Sequence, residues 1–319
     1  MERSTVFGIF RHQIPKTQSL IAIGKRFVGV VKNCAQNPIC YNSAMRYFYV
    51  LSVSVVLFGL CGAYFFYAVP AKESNDAGAQ THSFPPDTSY FERGQYYFNV
   101  QGEADGPYDL ERARYYYQKA LQAGEEEPTL WYQLGRIDFV EGDYISTIDR
   151  FETQIELYGD TVPNVYYGLG LVYGFKGSGS KIEADLRAGA ENFEKFLTYE
   201  PDSPWARTDL SWILFELKEF EAMIPVLETG LETHPDHPWL LNMYGLALMN
   251  SGQREKAATV FERSLAGAQQ LTVEEWGRAY PGNHPQGWEA GLNQFVTSIE
   301  KNREINNARL AERDDSKEE

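Results

Sequence analysis

Two hydrophobic patterns divide the chain. From Tyr47 to Val69 the residues read YFYVLSVSVVLFGLCGAYFFYAV, and no charged side chain occurs between Arg46 and Lys72. From about residue 88 onward apolar residues are instead interleaved with polar ones. Trp288, Leu292, Phe295, Val296 and Ile299, for instance, recur at helical spacing and predict an amphipathic helix opened by Asn283 or Pro285. A helix needs about 20 apolar residues to cross a hydrocarbon layer ~30 Å thick, and the first pattern is long enough. Its ends are aromatic, Tyr47, Phe48 and Tyr49 on one side and Tyr64, Phe65, Phe66 and Tyr67 on the other, which suits the two headgroup layers. Length and aromatic belts favour a retained anchor over a buried core helix, and over a signal peptide cleaved near Val69-Pro70-Ala71.

Charge sets the expected direction. Arg3, Arg11, Lys16, Lys25, Arg26, Lys32 and Arg46 precede the span, against a single acid, Glu2. The positive-inside rule places 1–46 in the cytoplasm as a basic leader and 72–319 across an inner or plasma membrane, periplasmic or extracellular. An acid-poor basic leader also fits a mitochondrial presequence, with the body then at the mitochondrial inner membrane. In the leader, Leu20, Ile23, Phe27 and Val31 share a helical face that could lie along an anionic surface; a leader without fixed structure is the alternative. Gly59 and Ala63 form a small-xxx-small pair on the span, a weak dimer signal. Residues 70–87, polar from Lys72 and ending near Pro85-Pro86, read as a flexible linker.

The remainder is built of repeats. Trp131, Leu134, Gly135, Gly142-Asp143-Tyr144 and Phe151 make one unit. Tyr166, Leu169, Gly170, Tyr173, Phe193 and Pro201 make the next. Leu210, Leu214, Phe220, Leu227 and Pro235 mark a third over 204–237, and Tyr244, Gly245, Leu248, Gly252, Ala257, Phe261 and Leu265 a fourth over 238–271. A degenerate unit precedes them, with Tyr90, Gly94, Tyr97, Ala113, Tyr117 and Ala120; there Arg93 stands where Leu is expected. These residues resemble the tetratricopeptide repeat family, whose 34-residue unit is a pair of antiparallel helices. The resemblance implies an all-α fold, a right-handed superhelical solenoid of about five hairpins over 88–271; the apolar stretch 47–69 places one transmembrane helix before it. A capping segment and helix over 272–311 and a charged tail over 312–319, expected to lack order, would follow. It also implies that Gly135, Gly170 and Gly245 lie where the first helix of a hairpin meets the second. Pro128, Pro163, Pro204 and Pro238 would open the first helices, where a missing N–H costs nothing. The stretch KGSGSKIEADLR is expected to bulge out as a loop, and 276–287 to be loop-rich.

Composition narrows the function. Seven of the 29 basic and one of the 44 acidic side chains lie in 1–46, so the remainder holds 22 bases against 43 acids, a net of −21. A body that acidic repels nucleic acid. Cys34, Cys40 and Cys61 are the only cysteines, so no disulfide framework or cysteine zinc site is possible beyond the span. His234 and His237 in THPDHP are better read as a turn between repeats than as metal ligands. GFKGSGSK is better read as an inserted turn than as a phosphate loop, because the Gly-Lys-Ser/Thr order is broken. No nucleophile elbow, HExxH or paired-cysteine motif occurs, so no enzyme, cofactor or metal is expected.

The resemblance further implies that the first helix of each hairpin lines a concave groove. Carried over position by position, the lining is Phe91, Phe98, Tyr132, Arg136, Phe139, Val140, Tyr167, Leu171, Phe175, Trp205, Trp212, Phe215, Trp239, Leu246 and Met249. The positions of a basic carboxylate clamp carry Tyr132, Tyr167, Thr208 and Asn242, which disfavours capture of a free acidic C-terminus. An aromatic lining points to a protein or peptide partner with an apolar segment. The expected function is a membrane-tethered interaction scaffold for envelope assembly, translocation or quality control, held to lipid by its span. Self-association as a structural homo-oligomer, and glycan or cell-wall binding through the tryptophans, are the alternatives. The competing reading of the groove is that the C-terminal helix folds back and fills it.

Overall fold

The computed structural model describes residues 83–98, 109–279 and 285–318, and the leader, the apolar stretch 47–69 and most of the linker lie outside them. The described residues are all-α, without a β-strand. Five helical hairpins follow one another: α1 (Tyr90–Tyr97) with α2 (Leu110–Ala123), α3 (Leu130–Val140) with α4 (Tyr144–Tyr158), α5 (Asn164–Ser180) with α6 (Glu183–Tyr199), α7 (Pro204–Glu216) with α8 (Phe220–Thr233), and α9 (Pro238–Asn250) with α10 (Arg254–Ala268). A short α11 (Val273–Ala279) and a long α12 (Trp288–Glu318) follow among the described residues. No helix among the described residues is long and apolar enough to cross a membrane.

Local chemistry sets the boundaries. The Ser89 hydroxyl accepts from the Glu92 N–H while the Glu92 carboxylate accepts from the Ser89 N–H, a reciprocal cap on α1. Asp109, Asp143 and Ser203 cap α2, α4 and α7. Pro204 and Pro238 occupy the first turns of α7 and α9.

Four of the five described hairpins close on a glycine. A Cβ at Gly135 would stand 2.5 Å from the Phe151 ring, and one at Gly245 2.5 Å from Phe261. In both pairs the ring follows its glycine by the same interval. Gly94 against Tyr117 and Gly170 against Phe193 repeat the contact at a longer interval, as the insertions in those units require. In α7–α8 the corresponding residues are Ser211 and Leu227, both fully buried. Polar groups on the second helices also tie down the starts of the first. The Ser264 hydroxyl donates to the Pro238 carbonyl at 2.7 Å, and Gln154 donates to the Pro128 carbonyl while accepting from the Tyr132 N–H.

Stacking runs from hairpin to hairpin. Each second helix packs on the first helix of the next unit, and α3, α5, α7 and α9 also touch in series. No hairpin could bury its apolar face alone, and the stack buries all of them in succession. Asp138 on α3 is the main ionic tie. It is buried, and it accepts from Arg114 of α2 at 2.5 Å and from Arg150 of α4 at 3.1 Å.

Three expectations are corrected. No loop bulges from the third hairpin: α5 runs on through GSGS to Ser180 and turns at Lys181. Gly177 makes this possible, because a Cβ there would meet the Leu186 backbone nitrogen at 2.7 Å, and Lys176 pairs with Asp185 at 2.6 Å. The stretch 276–287 opens inside helix α11, which is started by Thr272, whose hydroxyl accepts from the Glu275 N–H at 3.1 Å; residues 280–284 lie outside the described residues. The C-terminal helix starts at Trp288 and continues to Glu318, through the segment expected to be a tail without order. α11 and α12 interlock through two tryptophans: Trp288 lies on Gly277 and Trp276 on Gly291, so close that a Cβ at either glycine would overlap the ring.

Candidate functional site

The first helices of the hairpins place the aromatic residues in one series. Phe139 of α3 lies 5.7 Å from Phe175 of α5, and Phe175 lies 5.0 Å from Trp212 of α7, measured between ring centres. The Trp212 ring covers Gly174, where a Cβ would meet it at 2.7 Å. Farther along, Trp205 meets Trp239 at 5.0 Å, and Trp239 stacks on Phe295 of α12 at 4.7 Å.

The fifteen residues predicted to line the groove therefore divide. Trp239 and Leu246 are buried, Trp239 beneath the C-terminal helix, and present no surface to a partner. Trp212 is also buried, as packing between α5 and α7. Phe215 turns to Phe220 of α8 at 5.6 Å, and Trp205 packs between His237 and Trp239. Phe91 lies against Tyr117.

Seven converge on one cavity. Phe98, Tyr132, Arg136, Phe139, Val140, Tyr167 and Leu171, joined by Phe151 and Gly168, enclose about 40 Å³ between α3, α4, α5 and the C-terminal cap of α1, with Phe98 and Phe151 themselves buried in its wall. None of this lining comes from α12. Sequence reasoning missed two of its members as lining residues. Phe151 forms the floor, its ring held between Gly135 and Gly168 and stacked on Tyr132 at 5.6 Å. Gly168 makes the space, because a Cβ there would stand 2.5 Å from Phe151. The signal was available in an extra glycine two residues before Gly170, which the repeat pattern does not require.

Arg136 is the charged member. Its guanidinium lies over Phe98 at 4.7 Å and near Tyr132 at 5.7 Å, and it donates to the Gln133 side chain at 3.0 Å. It has no carboxylate partner among the described residues. Cation–π contacts of this kind hold a guanidinium in place without neutralising it. Burial pushes the Tyr132 phenol up, and the Arg136 charge acts in the opposite direction.

On the far side of Tyr167 lies a carboxyl without a cation. The Tyr167 hydroxyl donates to Asp209 of α7 at 2.5 Å. Burial raises the Asp209 carboxyl to about 7, and the Tyr167 hydrogen bond offsets part of that rise. The histidine pair serves the turn between repeats: His237 Nδ1 accepts from the Leu240 N–H at 3.4 Å, and His234 Nε2 lies 3.0 Å from the Asp202 carbonyl. Burial, with His234 nearby, lowers His237 to about 4.

No protein-family model matches the chain. Among curated proteins it is 25% identical over 187 residues to the BBSome complex member bbs-4 of Caenorhabditis elegans, covering 56% of this chain and 39% of that protein. It is 36% identical over 146 residues to the Vi polysaccharide export protein VexE of Salmonella typhi, covering 39% of this chain and 22% of that protein. The chain thus spans well under half the length of either relative. Among solved structures, a MamA fragment from Desulfovibrio magneticus superposes with a TM-score of 0.46 at 17% identity, covering 57% of this chain and 98% of that one. The described residues form, on their own geometry, a stack of helical hairpins with an aromatic cavity on the face of the first helices.

Proposed function

We propose that this protein is a protein–protein interaction scaffold that grips an apolar segment of a partner polypeptide along the first-helix face, centred on the cavity of Phe98, Tyr132, Arg136, Phe139 and Tyr167. The observation that carries the reading is that cavity: an opening among rings, with a guanidinium that no carboxylate of the described chain neutralises. Aromatic and Arg side chains dominate binding energy at protein interfaces. The hairpins wind as a right-handed superhelix of tetratricopeptide type, with this face concave. The apolar stretch 47–69, outside the described residues, tethers the scaffold to a membrane. The basic leader 1–46 stays in the cytoplasm and the solenoid lies on the other side, in envelope complex assembly, translocation or quality control.

Site-specific photo-crosslinking in the native membrane tests this. A crosslinker at Phe139, in the cavity wall, should give a discrete adduct with another protein, and Tyr132→Ala placed beside it should abolish the adduct. A crosslinker at Ile145 on α4, which is 71% exposed, is the control and should not give that adduct. Equal adducts from both positions would refute a groove-based scaffold.

A further inference from the structure

Ion pairs hold six arginines of the described body. Arg112, Arg114, Arg150, Arg187, Arg263 and Arg303 all contact a carboxylate. Against that background two opposite charges on the groove face stand without an ionic partner. Arg136 has a side-chain amide and two rings, although a guanidinium carries five N–H donors. Asp209 has one phenol, although a carboxylate accepts at about four sites. Both are half-buried, so water satisfies them only in part.

The two do not neutralise each other because α5 stands between α3 and α7. Two interaxial steps of about 8–10 Å separate their helices, roughly 16–20 Å in all. Tyr167, on α5, joins the halves: it lines the Arg136 cavity and bonds Asp209. An extended polypeptide advances about 3.3 Å per residue, so roughly five or six residues bridge that distance.

We infer that the groove reads a charge order: the partner segment sets a carboxylate side chain on Arg136 and a cationic side chain on Asp209, with apolar residues packed along Phe139 and Tyr167 between them. This inference rests on the groove reading above and specifies what that groove takes. A carboxylate completes the guanidinium with bidentate hydrogen bonds, while the rings beneath hold it in place. A partner cation gives the Asp209 carboxylate the charge that its surroundings lack.

The test uses the full chain in detergent and a displayed library of random twelve-residue peptides. Selected peptides should carry Asp or Glu five or six positions from Lys or Arg, with apolar residues between. Measured by fluorescence anisotropy, Arg136→Gln should weaken a selected peptide by roughly 10- to 100-fold, as expected for a charge-assisted hydrogen bond. The same variant should leave a peptide whose acid is already replaced by Gln unchanged. Asp209→Asn, which keeps the Tyr167 hydrogen bond, should act the same way on the peptide's basic residue. Cooperative thermal unfolding of both variants, at a midpoint no lower than that of the wild type, excludes a folding defect. Peptides that depend on Phe139 but ignore both substitutions would overturn the charge order and leave the groove reading standing. Peptides that ignore Phe139→Ala as well, or a selection that yields no binder, would overturn both.

Discussion

Gly245→Ala separates packing from propensity. Alanine in a helix interior is favoured over glycine by ~1 kcal/mol, so by propensity alone the change stabilises α9. The structure gives the opposite sign. The new Cβ would stand 2.5, 2.7 and 2.8 Å from three carbons of the Phe261 ring, which is fully buried. Overpacking of a filled core costs ~1–3 kcal/mol, and three contacts on a ring with nowhere to go put this site at the upper end. The net is a loss of about 2 kcal/mol. Because repeat arrays open unit by unit, amide hydrogen exchange in α9 and α10 is a better assay than a global midpoint. A loss of that size speeds exchange there by roughly 30-fold, while α3 and α4 stay unchanged. The chain itself supplies the rescue. In α7–α8 the corresponding positions hold Ser211 and Leu227, a larger residue on the first helix with a smaller one on the second. Phe261→Leu beside Gly245→Ala should recover about 1–3 kcal/mol of coupling. Slower exchange in Gly245→Ala would refute the argument, since propensity would then have won.

Three further outcomes follow from particular residues. Asp138→Ala leaves Arg114 and Arg150 facing a buried site without its anion, and should cost about 3 kcal/mol in chemical denaturation followed in α2–α4. Lys218 holds φ at 65° at the end of α7, where the corresponding turns use Gly142 and Gly252 at 79° and 82°; Lys218→Gly should therefore stabilise by about 0.5–1 kcal/mol, read as a rise in the denaturant midpoint. Asp209 titrates near 7 in the fold against about 4 unfolded, so the folded state holds the extra proton and stability falls as pH rises across that window, then levels off. His237 is lowered to about 4 and acts the other way, losing stability as pH falls from about 6.5. Thermal midpoints of wild type and Asp209→Asn should thus diverge from pH 4 to 7 and run parallel above. Curves parallel throughout would remove the buried-carboxyl assignment.

The hairpins were readable because their contacts are written at fixed intervals. Gly135 and Phe151, or Gly245 and Phe261, identify both the partner helix and the distance at which it packs. What was misread involved glycines whose reason is tertiary. GSGS has the composition of a loop, yet Gly174 and Gly177 sit inside α5 because Trp212 and the Leu186 backbone occupy the space a side chain would take. Helix α11 has a local signal that the loop-rich reading of 276–287 passed over: Thr272 followed three residues later by Glu275, the spacing of a capping box. The candidate groove was half readable for the same reason. Position in a repeat says that a side chain leaves the first helix on a given face. It does not say whether the next ring along, or a cap from the end of the chain, already covers it.

That distinction gives the groove face its asymmetry. Toward the C-terminus, Trp239 stacks on Phe295, Trp205 closes on Trp239, and Asn302 of α12 donates to Asn242 of α9 at 3.1 Å, so the chain completes its own surface there. Toward the N-terminus the same face keeps an opening, because Gly168 withholds a side chain beside Phe151 and Arg136 brings in a charge without its counterion. A self-filled face needs neither feature. Filling the space is therefore the sharper perturbation: Gly168→Ala puts a methyl 2.5 Å from the Phe151 ring. It should weaken a cavity-bound segment beyond what the loss of about 2 kcal/mol of stability, expected from the same clash as at Gly245, accounts for, whereas Phe295→Ala, at the capped end, should lower stability by about 3–5 kcal/mol without a direct effect on that contact. If both variants lowered stability and binding in the same proportion, the opening at the N-terminal end would be a packing defect and the assignment of the site would fall.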